Sequence, residues 1–358
     1  MPVAKFLRRN LQDFSKSLGP RPAGSTPAPP VAPPPRRSHS RPAGSTPVPP
    51  IVPPPRRERP VIVRDKPGLW QLLIAVRGSV LPHIAWPLLT LIALSAALVL
   101  IDRTLFKLPA SAATPFAVLG VALSLFLGFR NNAAYDRWWE ARRLWGGLVA
   151  DLRSLARELE IFLPDTAARH HILRLALAFV HLHRLNLRRL PPDAATLALL
   201  GTDSLAIAPH PPCAALDAMN AALTQACRDE KIDGFATRAL TTRMASIALG
   251  QAGCERIATT PLPYVYSLLI FRTVYLYCLL IPLALIGPEG WLTPLFVGIM
   301  AYVFLGLAEV TEDLAHPFGT TLNALPLDAI CRAVEISLAP HLDQPAPEPM
   351  LPQDFHLN

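Results

Sequence analysis

Four histidines, His170, His171, His181 and His183, fall on one stretch whose apolar residues recur with helical period. Imidazoles gathered this way invite a metal site, but the residues that would complete one are missing. No HExxH occurs, and no Cys or paired acid lies at ligand spacing within the cluster. Solvated or interhelical histidines are the expectation. The cysteines (Cys213, Cys227, Cys254, Cys278 and Cys331) are odd in number and form no CxxC pair, which suggests neither a disulfide framework nor zinc and fits a reducing compartment. There is no Walker loop, no GxSxG and no Rossmann fingerprint. Within the long apolar runs the only Asp, Glu, Lys or Arg is Arg272, in "LLIFRTVYL", where a neighbouring helix's carbonyls or a carboxylate would satisfy it. Catalysis, a metal and a cofactor are therefore not expected.

What these residues sit on is more telling. In "LGFRNNAAYDRWWEARRLWGGLV" (127–149), Arg130, Arg137, Arg142 and Arg143 and three tryptophans follow the apolar "TPFAVLGVALSLF" with no turn signal between them. The chain of 358 residues is 51% hydrophobic and 17% charged, with a mean hydropathy of +0.31. That charged fraction is below the roughly 25% of soluble domains. The net charge of +8 lies outside the apolar runs. Cytoplasmic arginines of a membrane protein give that sign, and no aromatics alternate with Lys/Arg as a nucleic-acid strand would require.

Four apolar runs are read as transmembrane helices: 80–101, 114–129, 264–286 and 291–308, the last two joined by the turn "GPEG". Each approaches the length that crosses about 30 Å of hydrocarbon. Soluble-core helices are the competing reading for each alone; four runs in two hairpins argue against it. Residues 130–260 form an Arg-rich helical region, with periodicity over 136–190 and 214–257 and a looser connection between. Loops 102–113 and 287–290 hold only Arg103 and Lys107 as cations. The positive-inside rule then places the middle region and both termini in the cytoplasm of a multi-pass protein of the cell (inner) membrane.

Residues 1–66 are different material. The stretch 21–40, "RPAGSTPAPPVAPPPRRSHS", recurs as 41–60, "RPAGSTPVPPIVPPPRRERP". Proline this dense withholds backbone donors and buries little, so an extended, disordered tail is expected. The sharper alternative is a bivalent ligand in which "PPPRR" meets a Pro-binding partner.

On the second run Val121, Leu125 and Phe129 recur at i, i+4 and i+8 and share one stripe. Gly120, Ser124 and Gly128 form a small-residue row beside them, which lets helices approach closely in a membrane. Copies of such a helix around an axis would line a narrow hydrophobic passage; the alternative is that the bulky stripe faces lipid. Beyond Phe129 the helix would leave the hydrocarbon, with Trp138, Trp139 and Trp145 at the interface or in a packing seam. The arginines would meet headgroup phosphates of membrane lipid or carboxylates, Glu140–Arg143 among them at helical-neighbour spacing.

"LGFRNNAAYDRWWEARRLWGGL", "QAGCERIATTPLPYVYSLLIFRTVYLYCLLIPLALI" (251–286) and "LAEVTEDLAHPFGTTLNALPLDAICRAVEISL" (307–338) resemble the bestrophin family, in particular its prokaryotic members. The resemblance covers residues 67–356 and implies an all-α homopentameric ion channel with four transmembrane helices per subunit and a helical cytoplasmic region. It implies a neck lined by three apolar side chains counted back from the "GF" before "RWW", a register that falls on Val121, Leu125 and Phe129. It implies a cytoplasmic aperture near "KIDGF", at Ile232 or Phe235. Animal members follow "NPFG" with a dense acidic run that clasps calcium. Here "HPFGTTLNALPLD" has no acid between Phe318 and Asp328, so that clasp is not expected. Glu309, Glu312 and Asp313 are expected to pair with arginines of the helical region. The function expected is passage of small monovalent ions of undetermined sign. The alternatives are a membrane-anchored scaffold whose Pro-rich tail recruits a partner, and a secondary transporter, for which no inverted pair of broken helices appears.

Overall fold

The computed structural model describes residues 79–109, 112–200, 205–321 and 323–351. The repeats at 21–60 and the whole tail 1–66 lie outside the described residues. No strand occurs among the described residues. Helix α1 spans Leu81–Thr104, α2 Ala113–Phe162, α3 Thr166–Arg188, α4 Ala194–Leu200, α5 Pro211–Arg228 and α6 Gly234–Thr259. Then follow α7 Tyr264–Leu280, α8 Pro282–Glu289, α9 Thr293–Ala315 and α10 Leu327–Leu338.

Helix α2 is the spine. Its 50 residues extend about 75 Å, and it passes from "SLFLGF" into "RNNAAYDRWW" without a break. No proline interrupts it, and Gly146 and Gly147 are carried inside it. It ends where Asp165 caps α3 by accepting the Ala168 N–H. The periodicity read across 136–190 is thus two helices with a capped turn at 163–165. The same device starts α6, where Asp233 accepts from Ala236 N–H. The run 264–286 is likewise divided. Pro282 cannot continue the donor ladder, so α7 stops at Leu280 and α8 begins at Pro282. The turn read as "GPEG" comes later than its letters suggest. Helix α8 runs to Glu289, Gly290 turns at φ 53°, and a short 3-10 turn leads into α9.

Two apolar cores form. Helices α1, α2, α7 and α9 bury Ile84, Leu123, Leu127, Val274, Tyr277, Val297, Ala301 and Leu305 among themselves. Outside this core the same helices expose Leu125, Phe126, Leu269, Leu276, Ile299 and Val303. Exposed apolar surface of that extent calls for hydrocarbon or another subunit. Three helical stretches are long and apolar enough to cross a membrane: Leu81–Thr104, Ala113–Phe162 and Tyr264–Ala315. The third contains both of the later apolar runs and the break between them. The second core is of the water-soluble kind. It joins the far half of α2 to α3, α5, α6 and α10 through Trp145, Leu152, Leu155, Phe179, Met219, Leu240 and Val334. Helix α3 is buried almost all round, so it can sit only at the centre of that bundle.

Candidate functional site

The membrane-side half of α2 has distinct faces. Leu123, Leu127 and Ala134 are buried against the neighbouring helices. On the opposite side Val121, Leu125 and Phe129 are 72%, 56% and 61% exposed. Three bulky apolar side chains therefore project in one line from a helix held rigidly from behind.

The small-residue row does not act as one unit. A Cβ on Gly120 would come within 2.8 Å of Tyr277 Oη, so this glycine is what lets α7 lie close. Tyr277 is itself buried and meets Phe304 edge-on at 5.5 Å. The Ser124 hydroxyl donates to the carbonyl of Gly120, 2.8 Å away in its own helix. Gly128 has nothing within 4 Å of where a Cβ would stand. Ser124 and Gly128 thus leave a shallow face open. On the other flank of the stripe an apolar groove of about 550 Å³ runs between α2 and α7, lined by Ala122, Phe126, Phe129, Leu269 and Thr273 among others.

The basic–aromatic motif fastens α2 at the point where it leaves the apolar core. Arg130, 5% exposed, donates through Nη2 to Glu312 Oε2 at 2.5 Å and to Ser267 Oγ at 2.7 Å. Arg137 donates to three backbone carbonyls, of Ala315, Thr260 and Ile257, which gather the ends of α6 and α9 onto α2. Desolvation lowers the pKa of that guanidinium from its ordinary value, and its carbonyl partners need the charged form. Trp138 Nε1 donates to the carbonyl of Asn323, and Trp145 is buried in the second core. Trp139 is exposed. Glu140 pairs with Arg256 at 2.6 Å, not with Arg143: the long-range partner is brought across the α2–α6 seam by the fold.

The remaining sequence candidates are placed as follows. Ile232 is buried in the second core, whereas Phe235, at the start of α6, is 86% exposed. Of the acids after the last span, Glu312 meets an arginine, Asp313 accepts from Asn323 Nδ2 at 2.9 Å, and Glu309 has no ion-pair partner among the described residues. Asp328 pairs with Arg184 and Arg188. Arg272 is exposed and has no partner among the described residues.

The histidines do not share one site: one packs in the core and two meet carboxylates. His183 is fully buried, its ring stacked 5.4 Å from Trp145 and 5.6 Å from Phe179. Burial, with a lesser contribution from His210, pushes its imidazole down to about 3. His181 Nε2 lies 2.8 Å from Glu335 Oε1, and His170 Nε2 lies 3.5 Å from Asp343. Among the described residues no group of three or more His, Cys, Asp or Glu could hold a metal ion. The buried position of Arg130 and the support of Gly120 by Tyr277 were not legible in spacing, because both depend on helices more than 130 residues away in sequence.

The chain is an all-helical membrane protein, and residues 61–340 match the bacterial/fungal bestrophin family; the chain belongs to that family. It is 44% identical over 302 residues to the voltage-dependent anion channel-forming protein mll4386 of Mesorhizobium japonicum, which covers 83% of this chain and 97% of that one. It is 40% identical over 283 residues to the voltage-dependent anion channel-forming protein YneE of Salmonella typhi, covering 78% and 93%. Its fold is similar to the crystal structure of a bacterial bestrophin homolog from Klebsiella pneumoniae. There the TM-score is 0.69 at 32% identity, over 73% of this chain and 99% of that one.

Proposed function

We propose that this chain is the subunit of a homopentameric ion channel of the cell (inner) membrane, with both termini cytoplasmic. Small monovalent ions pass a neck formed by Val121, Leu125 and Phe129 and leave through a cytoplasmic vestibule. The observation that carries this reading is the line of three exposed apolar side chains on a helix whose opposite face is locked into a core. Membership of the bestrophin family and the channel-forming names of its relatives support it.

The flanks of the neck helix fit a ring. The open small face at Ser124 and Gly128 lies about 60–100° to one side of Leu125, and the groove beside Phe126 about 100° to the other. Copies related by rotation about an axis bring one flank of each helix against the opposite flank of the next, a head-to-tail contact that closes when the rotation does. The bulky stripe then points inward, where it narrows the water column and sets a dewetting barrier. At the other end of the vestibule Phe235 is the side chain available for the aperture.

Planar-bilayer recording of the purified protein tests the reading. Unitary currents are expected, and Leu125→Ala is expected to increase them by widening the neck. Silent bilayers from both well-folded proteins would refute the channel and favour a membrane-anchored scaffold. Deleting residues 21–60 is expected to leave the current intact; loss of assembly would show that the repeats are more than a tail.

A further inference from the structure

The neck stripe does not stop at Phe129. Two helical turns later, about 10 Å along the same line of α2, stands Asp136, with Asn132 between them. Both are exposed. The cations that could neutralise this carboxylate are engaged elsewhere. Arg130 is buried on Glu312 and Ser267. Arg137 is bound to three backbone carbonyls, and Arg256 is paired with Glu140. Asp136 has no ion-pair or hydrogen-bond partner among the described residues. The next cation on the line, Arg143, is a further two turns on, another 10 Å or so.

We infer that Asp136 is a selectivity-determining residue: in the assembled channel it forms a ring of carboxylates at the cytoplasmic mouth of the neck and biases the passage toward cations. The inference rests on the proposed neck, because only if Val121, Leu125 and Phe129 face the axis does Asp136 face it too. The apolar neck offers no charge of its own, so sign discrimination falls to the first charged ring beyond it. A ring at the mouth of a narrow low-dielectric passage acts on every ion that enters or leaves. Of the motif's arginines, which would suggest an anion path from composition alone, Arg130 and Arg137 are turned into the protein as fasteners, while Arg142 and Arg143 are exposed farther along α2. The names of the relatives carry the opposite sign, which makes the measurement discriminating.

The test is the reversal potential in a KCl gradient for the full-length protein, Asp136→Asn and Asp136→Glu, each first shown to elute as the same oligomer. Asp136→Asn is expected to lower the cation-over-anion permeability ratio about tenfold, the scale of five screened unit charges a few ångströms from the ion. Asp136→Glu, which keeps the charge, is expected to stay near the parent. Currents that persist with an unchanged ratio in Asp136→Asn would overturn the inference and leave the neck standing. Absence of current in all three intact assemblies would overturn both. If Asp136→Asn does not assemble, Asp136→Ser serves as the neutral form with the same two outcomes.

Discussion

Replacing Glu312 with alanine removes the carboxylate that lies 2.5 Å from Arg130 Nη2. The guanidinium cannot follow its lost partner into water: its side chain is 5% exposed, and Nε and Nη1 already lack partners. Only the Ser267 hydroxyl at 2.7 Å remains. Leaving an uncompensated buried charge costs about 3–5 kcal/mol. Because Glu312 is itself 41% exposed, part of its attraction is already screened, and we expect about 2–3 kcal/mol. In a protein of this size that lowers the midpoint of thermal unfolding by about 4–8 °C, read as loss of helical signal in detergent at a fixed scan rate, since such unfolding is rate-governed. Arg130→Met should cost less, because the orphaned Glu312 can be hydrated, and the double variant should recover most of the loss. A Glu312→Ala midpoint within 1 °C of the parent would refute the view that this pair fastens α2 to α9.

Three further outcomes are expected. Folded His183 titrates near 3, against 6.5 ordinarily, so the folded state binds fewer protons between those values. Stability is full above pH 6.5 and falls as pH drops toward 3, by about 2 kcal/mol at pH 5; in His183→Phe, comparison of unfolding midpoints at pH 7.5 and pH 5 should show that component gone. Gly250→Val should destabilise by about 1–3 kcal/mol, since a Cβ there would sit 2.8 Å from buried Leu148, whereas Gly147→Ala, with nothing within 4 Å, should raise the unfolding midpoint by the equivalent of about 0.5–1 kcal/mol. A water-soluble maleimide should modify Cys213 and Cys227, which are exposed, and spare Cys254, Cys278 and Cys331, which are buried; peptide mass mapping reads the pattern, and burial that pushes the Cys254 thiol up to about 12 keeps it protonated.

Much of the architecture is local chemistry and could be read without coordinates. Runs of apolar residues with no turn signal must be helices in hydrocarbon, where every backbone group has to be satisfied within its own segment. The i, i+4, i+8 recurrence of Val121, Leu125 and Phe129 places them on one line wherever that helix lies. Asp165 and Asp233 could have been read as caps by residue type, a signal that would have divided 136–190 correctly.

Tertiary structure decided what each polar side chain is for. Arg130 and Asp136 are six residues apart in one motif and about 120° apart around the helix; spacing puts Asp136 in line with the stripe but does not say what either charge meets. Glu312 and Ser267, brought alongside by α9 and α7, draw Arg130 inward and leave Asp136 without a partner. Ile232 and Phe235, three residues apart, separate for the same reason: one is enclosed by the second core and the other is not. Sequence fixes the direction in which a side chain leaves its own helix. Whether it then meets water, lipid or a counter-charge depends on helices that only the folded chain brings within reach.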